Sequence, residues 1–314
     1  MKPKRRLLFR ILKWGLLSLV LLCLAIVFFV APYWMAHFIT TFGTRPMDLE
    51  LRSTPADFDI AFEEVSFMSS DGVPLKGWYL GGGDRSASIV CAHGLFRSRR
   101  EVLDRGVLLR RAGFNVLLLD SRRHGESGGE RITLGFKERF DVQGGVRFLQ
   151  NRNPDDRILL FGVSMGAAAS LLAAAETPEV MLVIADSSFL SLEHTVTHHL
   201  ELFFGLPRFP LGEELMFFIE RGAGFRKEEF DLEQAVAKIG DRPILFITGS
   251  DDQRMPIELQ RRLYQAARSP MSELVIIDGA THGAAFRTEP DTYQEVLLEF
   301  LSRVLEPPTP TGGQ

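Results

Sequence analysis

Short apolar runs alternate with amphipathic stretches along most of the chain, and each run stops at a polar residue or a glycine. The first two runs flank the dipeptide Asp71-Gly72 and predict a β-hairpin. Later runs are too short for helices and predict buried strands. These strands are predicted at 88–92, 116–119, 158–161, 180–185, 243–248 and 273–277.

The segments between the predicted strands carry a helical spacing of apolar residues. Helices are predicted at 98–112, at 136–150, directly after Gly166, at 257–267 and at 290–304. Strands that alternate with helices after an opening hairpin indicate a mostly parallel sheet covered on both faces. The predicted fold class is therefore α/β.

Residues 187–242 interrupt this alternation. The segment is apolar, is broken at Pro207 and Pro210, and holds the phenylalanines Phe203, Phe204, Phe209, Phe217, Phe218 and Phe225. A structureless loop of this length is uncommon inside a compact domain. We expect a small helical cap over the sheet. Its phenylalanines are interpreted first as the core of the cap and only secondarily as a wall for substrate.

The N-terminus has the pattern of a membrane anchor. Residues 1–13 are basic, and no charged residue follows until Arg45. The apolar stretch is long enough to cross a bilayer, and Trp14, Tyr33 and Trp34 lie at its ends, where aromatic residues meet the membrane interfaces.

Residues 14–34 are accordingly predicted as an uncleaved transmembrane helix. The positive-inside rule places residues 1–13 in the cytoplasm and the main body outside it. A cleaved signal peptide is the alternative, since signal peptides also begin with basic residues. Residues 35–61 are interpreted as a linker, 62–305 as the main domain, and 306–314 as a disordered tail.

The charge of the chain bears on its partners, and the positions of its two cysteines bear on disulfide formation. The formal net charge is −4, but six Lys and Arg residues lie in the first 13 positions, so 30 basic residues face 40 acidic ones in the remainder. An acidic body argues against a nucleic-acid partner. Cys23 lies in the apolar run and Cys91 in a predicted buried strand, so we expect no disulfide between them.

The sequence G-V-S-M-G at 162–166 carries the clearest chemistry. It joins a predicted buried strand to an alanine-rich helix, and Ser164 stands at the turn. A sharp turn of this kind exposes a serine hydroxyl but crowds the backbone, so Gly162 and Gly166 must lack side chains. An ordinary glycine-rich turn is the alternative for this pentapeptide alone.

Four further motifs accompany the pentapeptide: H-G-L-F-R-S at 93–98, D-S-R-R-H-G-E-S-G-G at 120–129, G-S-D-D-Q-R-M-P at 249–256 and G-A-T-H-G at 279–283. Together they make residues 62–305 resemble an α/β-hydrolase. The resemblance is to the membrane-anchored branch related to serine aminopeptidase-like hydrolases and monoglyceride lipases. It implies an eight-stranded sheet with the cap inserted after strand six, and a catalytic order of serine, acid and histidine.

The resemblance also implies the roles of individual residues. Ser164 would be the nucleophile and His282 the general base, while the backbone N–H groups of Leu95 and Met165 would form the oxyanion hole. The family pattern G-x-x-D-x-x-x-P selects Asp252 as the acid that orients His282. Two alternatives stay open: Asp186, at a position that some relatives use, and Asp251, which is more typical of a turn cap.

The remaining histidines have less specific patterns. His93 and His124 belong to family loop motifs and are not expected to transfer protons. His194 and His198 are spaced to share one helix face, as two metal ligands would be, with His199 beside them. Glu201 is too close in sequence to provide an evident third ligand. Histidines on the cap surface are the favoured interpretation, and neither a metal nor a cofactor is expected.

The leading function is a serine hydrolase that cleaves carboxylic esters or thioesters through an acyl-enzyme, on a small-molecule acyl substrate. A peptidase is the second possibility, since related proteins include aminopeptidases. A membrane-tethered binding protein without catalysis is the alternative from another class.

Overall fold

Eight strands form a single sheet in the computed structural model, which describes residues 3–305. The strand order is β1-β2-β4-β3-β5-β6-β7-β8. The strands are β1 Glu63–Met68, β2 Pro74–Leu80, β3 Ala87–Ala92, β4 Asn115–Asp120, β5 Arg157–Val163, β6 Val180–Asp186, β7 Ile244–Gly249 and β8 Glu273–Ile277. Strand β2 is antiparallel to β1 and β4, and the other neighbours are parallel. The predicted mostly parallel sheet with an opening hairpin is confirmed.

Both faces of the sheet are buried, which explains why its strands are continuously apolar rather than alternating. In β5, Leu159 and Phe161 join the core on one face, while Ile158 and Leu160 join the core on the other. Successive side chains of a strand point to opposite faces. A strand covered by helices on both sides therefore needs an apolar residue at every position.

Twelve α-helices lie within residues 3–305: α1 Pro3–Ala25, α2 Ala31–Thr41, α3 Pro46–Glu50, α4 Leu103–Arg111, α5 Glu138–Arg152, α6 Met165–Glu176, α7 Leu192–Phe204, α8 Leu211–Ala223, α9 Leu232–Ile239, α10 Ile257–Ala266, α11 Ala285–Thr288 and α12 Pro290–Leu305. Buried residues of α4 and α12 belong to the core on one face, and those of α5, α6, α9 and α10 to the core on the other. The domain thus has three layers. The predicted tail at 306–314 and the first two residues lie outside the described part.

The segment predicted as a cap contains three helices with two different positions. Helices α7 and α8 pack on each other, whereas α9 packs against α6 and α10 in the helical layer of the sheet. The 187–242 range therefore includes a helix, α9, that belongs to the helical layer of the sheet. Helices α7 and α8 still extend the same core through Val196 and Met216, which are buried.

The expectation that the phenylalanines of this segment form its core is wrong for four of the six. Phe225 is buried and Phe218 is partly buried. The exposed ones are Phe203, Phe204, Phe209 and Phe217, with at least half of each side chain accessible. The core positions of α8 are taken instead by Leu215, Met216 and Ile219, because only one face of an amphipathic helix can turn inward.

The N-terminal helix is longer than the predicted span and does not end in a free linker. Helix runs from Pro3 to Thr41 through a π-helical stretch at Ile26–Val30. Its first part is long and apolar enough to cross a membrane, by length and composition. Its last part, α2, packs against α8 and buries Ala36 and Thr40, four residues apart on one face. Residues 35–41, predicted as linker, are thus part of the folded domain.

Candidate active site

Ser164 sits in a sharp turn between β5 and α6. Its backbone has φ 53° and ψ −112°, a left-handed value that is unfavourable for a residue with a side chain. A Cβ on Gly162 would lie 2.2 Å from the carbonyl oxygen of Gly166, and one on Gly166 would lie 2.3 Å from that of Ala92. No side chain fits at either position, so the G-x-S-x-G spacing is a steric requirement of this turn.

Three of the predicted side chains meet at the carboxyl edge of the sheet. Nε2 of His282 lies 2.9 Å from Oγ of Ser164, and Nδ1 of His282 lies 2.8 Å from Oδ2 of Asp252. Ser164 follows β5, Asp252 follows β7 and His282 follows β8. Parallel strands end at one edge, so residues more than 100 positions apart become neighbours.

Of the three possible acids, only Asp252 contacts the imidazole ring within the described residues. Its other oxygen, Oδ1, accepts from the backbone N–H groups of Arg254 and Met255 at 3.0 and 2.9 Å. These two donors orient the carboxylate, which is 4% exposed. Asp251, in contrast, is exposed, and its Oδ1 lies 3.2 Å from Oγ of Ser250.

Asp186 lies behind the serine turn and serves the backbone rather than the histidine. Its carboxylate accepts hydrogen bonds from Tyr293 at 3.0 Å and Ser187 at 2.9 Å, and Nη2 of Arg105 lies 3.6 Å away. Burial raises the pKa of this carboxyl, and Arg105 opposes the rise. Its carbonyl oxygen accepts from the N–H of Ser164 at 2.8 Å. Asp186 thus braces the strained turn.

The two predicted oxyanion donors belong to two different segments of the chain. Met165 is the first residue of α6, where a backbone N–H has no intrahelical acceptor. Leu95 follows the dipeptide His93-Gly94, whose Gly94 lies against the Ser164 side chain. Within residues 3–305 the N–H of Leu95 donates to no protein acceptor. Neither of these two N–H groups thus has a hydrogen-bond acceptor within the described part of the chain.

His93 and His124 hold backbone in place and are both buried. Nε2 of His93 accepts from the N–H of Ser121 at 3.0 Å, and Nε2 of His124 accepts from that of Phe96 at 3.1 Å. Their Nδ1 atoms lie 2.7 and 2.9 Å from carbonyl oxygens, so each ring is neutral with its proton on Nδ1. Burial lowers the pKa of His124 to about 3.

The cap histidines lie on α7, close to the acid loop. The rings of His194 and His198 are 5.8 Å apart, and Nε2 of His198 lies 2.7 Å from the carbonyl oxygen of Gln253. Burial lowers the pKa of His199 to about 4. No group of three potential metal ligands occurs within the described part of the chain. The contact of His198 with Gln253 ties the cap to the loop that carries Asp252.

Sequence patterns missed several residues that shape the site. Oε2 of Glu101 accepts from the N–H of Gly94 at 2.6 Å, which fixes the start of the loop that carries Leu95. Nη2 of Arg105 donates to the carbonyl oxygen of Gly283 at 3.1 Å, beside His282. On a helix of mixed charge, neither residue can be told from an ordinary surface residue by spacing alone.

Comparison with known proteins identifies relatives of this chain. A family model described as serine aminopeptidase, S33, matches residues 83–209. The chain is 31% identical to the uncharacterized protein YqkD of Bacillus subtilis over 247 residues, which cover 77% of this chain and 80% of that protein. It is 28% identical to the uncharacterized protein YfhR of Escherichia coli over 256 residues, 78% of this chain and 82% of that one.

Among solved structures, an esterase of Pyrococcus furiosus superposes with a TM-score of 0.69 at 27% identity. The match covers 83% of this chain and 98% of the esterase. The expected α/β-hydrolase fold of the eight-stranded sheet and the resemblance to the α/β-hydrolase superfamily are thereby confirmed. The chain belongs to the α/β-hydrolase superfamily.

Proposed function

We propose that this hydrolase is a serine enzyme that cleaves carboxylic esters or thioesters through a covalent acyl-enzyme. The observation that carries the proposal is the hydrogen-bonded series from Oγ of Ser164 through the ring of His282 to Asp252. A serine hydroxyl becomes a nucleophile when a neighbouring base takes its proton, and the base needs a third group to fix its tautomer. The assembled series also argues against a purely binding function.

The proposed reaction has two halves. Oγ of Ser164 attacks the carbonyl carbon while Nε2 of His282 takes the hydroxyl proton, and Asp252 stabilises the imidazolium. The carbonyl oxygen becomes an oxyanion that accepts hydrogen bonds from the N–H groups of Leu95 and Met165. The bond to the leaving alcohol or thiol then breaks, and His282 donates its proton to that group. Water repeats the sequence on the acyl-enzyme and releases the acid.

Two carboxylates of the cap, those of Glu193 and Glu213, are not free to bind the amino terminus of a peptide. An aminopeptidase needs a carboxylate that is available to a substrate ammonium group. Glu193 instead pairs with Arg208 at 2.6 Å and with Lys227 at 3.4 Å, and Lys227 lies 3.7 Å from Glu213. These carboxylates already have cationic partners, so they are poor sites for a second cation.

We further propose that the N-terminal helix is an uncleaved anchor, with the basic end in the cytoplasm and the hydrolase domain outside it. The helix continues without interruption into α2, which is packed on the domain. Exposed rings surround this junction, among them Trp34 on α2 and Phe217 on α8. The ring centroids of Tyr33 and Phe218 are 5.7 Å apart. Those of Phe218 and Phe217 are 5.2 Å apart. Aromatic side chains of this kind suit the membrane interface.

The substrate is proposed to be an apolar acyl compound that reaches the site from the bilayer. Phe38 and Phe42 are adjacent on one face of the helix end, with ring centroids 4.4 Å apart, and both are more than one-third exposed. Phe42 lies 5.6 Å from Phe96, the residue after Leu95. An accessible aromatic path thus connects the end of the anchor helix with the proposed oxyanion hole.

Replacement of the nucleophile is the first test. Ser164→Ala should retain the thermal stability of the protein and lose ester hydrolysis by several orders of magnitude, because the covalent route is removed. Hydrolysis of a chromogenic ester and labelling by a fluorophosphonate probe measure the loss. Retention of more than about a tenth of the activity would exclude Ser164 as the nucleophile.

The choice of acid is tested by a matched pair of neighbours. Asp252→Asn should lower kcat by about 10³- to 10⁴-fold, because the amide favours the wrong tautomer of His282. Asp251→Asn changes an exposed turn residue and should leave kcat within about twofold. Steady-state kinetics decide the assignment. Equal losses at the two positions would contradict the assignment of Asp252.

The anchor is tested by extraction and by the mature N-terminus. Alkaline carbonate should leave the protein in the membrane fraction, and the purified chain should still contain Lys4 and Arg5. The double variant Leu21→Arg/Leu24→Arg should be released, since each arginine near the centre of a membrane helix costs about 2.5–3.5 kcal/mol. A soluble form that begins near residue 32 would establish cleavage instead.

An acyl-chain series tests the substrate class. For esters of two to eight acyl carbons, kcat/KM should rise with chain length, by up to about fourfold for each methylene that is buried. Esters of one alcohol keep the leaving group constant, so only acyl burial changes. A flat or falling profile would show that the exposed rings do not contact the acyl chain.

A further inference from the structure

The chain that follows the anchor helix lies directly against the loop that carries Leu95. We call residues 42–48 the post-anchor segment and residues 94–98 the oxyanion loop. The N–H of Arg45 donates to the carbonyl oxygen of Phe96 at 2.9 Å. Oγ1 of Thr44 donates to the carbonyl oxygen of Arg97 at 2.8 Å and accepts from the N–H of Gly125 at 2.7 Å. One hydroxyl therefore joins the oxyanion loop to the 120–129 motif loop.

A series of ion pairs reinforces the same contact. The carboxylate of Asp48, 2% exposed, lies 2.8 Å from Nε of Arg45 and 3.2 Å from Nε of Arg97. Nε of Arg97 also lies 2.8 Å from Oε1 of Glu101, whose Oε2 accepts from the N–H of Gly94 at 2.6 Å. Asp48 is thus connected, through the side chains of Arg97 and Glu101, to the backbone of Gly94, the residue before Leu95.

The conformation of Phe96 explains why the loop needs this support. Its φ of 61° is left-handed, which is unfavourable for a residue with a Cβ and persists only where the surroundings enforce it. His124 accepts from its N–H, Arg45 donates to its carbonyl oxygen, and Phe42 and Phe38 contact its ring, with centroids 5.6 and 5.9 Å away. Arg45 and Phe42 belong to the post-anchor segment, and Phe38 belongs to the end of α2.

We propose that the post-anchor segment is a positioning element of the oxyanion hole, which holds the N–H of Leu95 toward the serine. Glu101 and His124 accept from the N–H groups of Gly94 and Phe96 and fix the peptide units on both sides of that N–H. Arg45 and Thr44 of the post-anchor segment hold the carbonyl oxygens that follow, those of Phe96 and Arg97. A donor contributes fully only when it is held where the charge develops. The catalytic rate thereby depends on residues that connect the membrane helix to the domain. The inference rests on the proposed acyl-enzyme function.

The test compares Thr44→Val with Thr44→Ser in the full-length protein in detergent micelles. Valine keeps the shape of the side chain but loses both hydroxyl hydrogen bonds, whereas serine keeps them. We expect Thr44→Val to lower kcat about tenfold or more with little change in KM, because a small displacement of a catalytic group is costly. Thr44→Ser should stay within about twofold of the unmutated protein.

Two further readouts separate positioning from a general loss of stability. A trifluoromethyl ketone forms a hemiketal oxyanion on the serine, so its inhibition constant should rise by the same factor as kcat falls. Backbone hydrogen exchange of residues 94–98 should become faster, while the thermal midpoint changes little. A role in stability alone would lower the midpoint and leave kcat and the inhibition constant of the folded protein unchanged.

Unchanged kcat or unchanged loop exchange in Thr44→Val would overturn the inference. An unmutated protein that hydrolyses no ester and is not labelled by a fluorophosphonate would contradict the proposed function instead. In that case, the rate of backbone hydrogen exchange in the oxyanion loop would decide by itself whether the post-anchor segment holds the loop. Faster exchange in Thr44→Val alone would support that role, and equal exchange in Val and Ser variants would exclude it.

Discussion

The close approach of two backbone segments at the serine turn is the constraint on which the rest of the site depends. Strand β5 and helix α6 meet at Gly162 and Gly166, where a single Cβ would overlap a carbonyl oxygen. The turn leaves Ser164 with a left-handed φ, and the carbonyl oxygen of Asp186 holds its N–H. Buried groups maintain this strain: Asp186 is itself held by Tyr293 and lies close to Arg105. The half-buried hydroxyl of Ser164 is thus supported by buried groups behind the turn.

Much of this arrangement could be predicted from sequence because its determinants are local. Each buried strand is a continuous apolar run, and the polar residues that follow β5, β7 and β8 fall at one edge in any parallel sheet. The pattern of the resembled family, with Asp252 between Gly249 and Pro256, favoured it over Asp251, and the structure places Asp252 beside His282. Positions tied to the ends of strands were therefore accessible to sequence reasoning.

The errors concern contacts between segments that are far apart in sequence. Ala36 and Thr40 are small residues whose burial depends on a helix about 180 positions later, and nothing in their own neighbourhood predicts it. Thr44, Arg45 and Asp48 have the composition of a linker for the same reason. The cap phenylalanines were misassigned because apolar character alone does not tell which helix face turns inward. The least predictable contacts are thus those that join the end of the N-terminal helix to the domain.

The central claim is that Ser164 carries the acyl group during turnover. The most direct measurement is intact-protein mass spectrometry after rapid acid quenching of a reaction with a medium-chain p-nitrophenyl ester, followed by peptide mapping. The account predicts a transient mass increase equal to the acyl group, located on the peptide that contains Ser164. Sustained hydrolysis without an adduct on that peptide, or with the adduct on another residue, would contradict it.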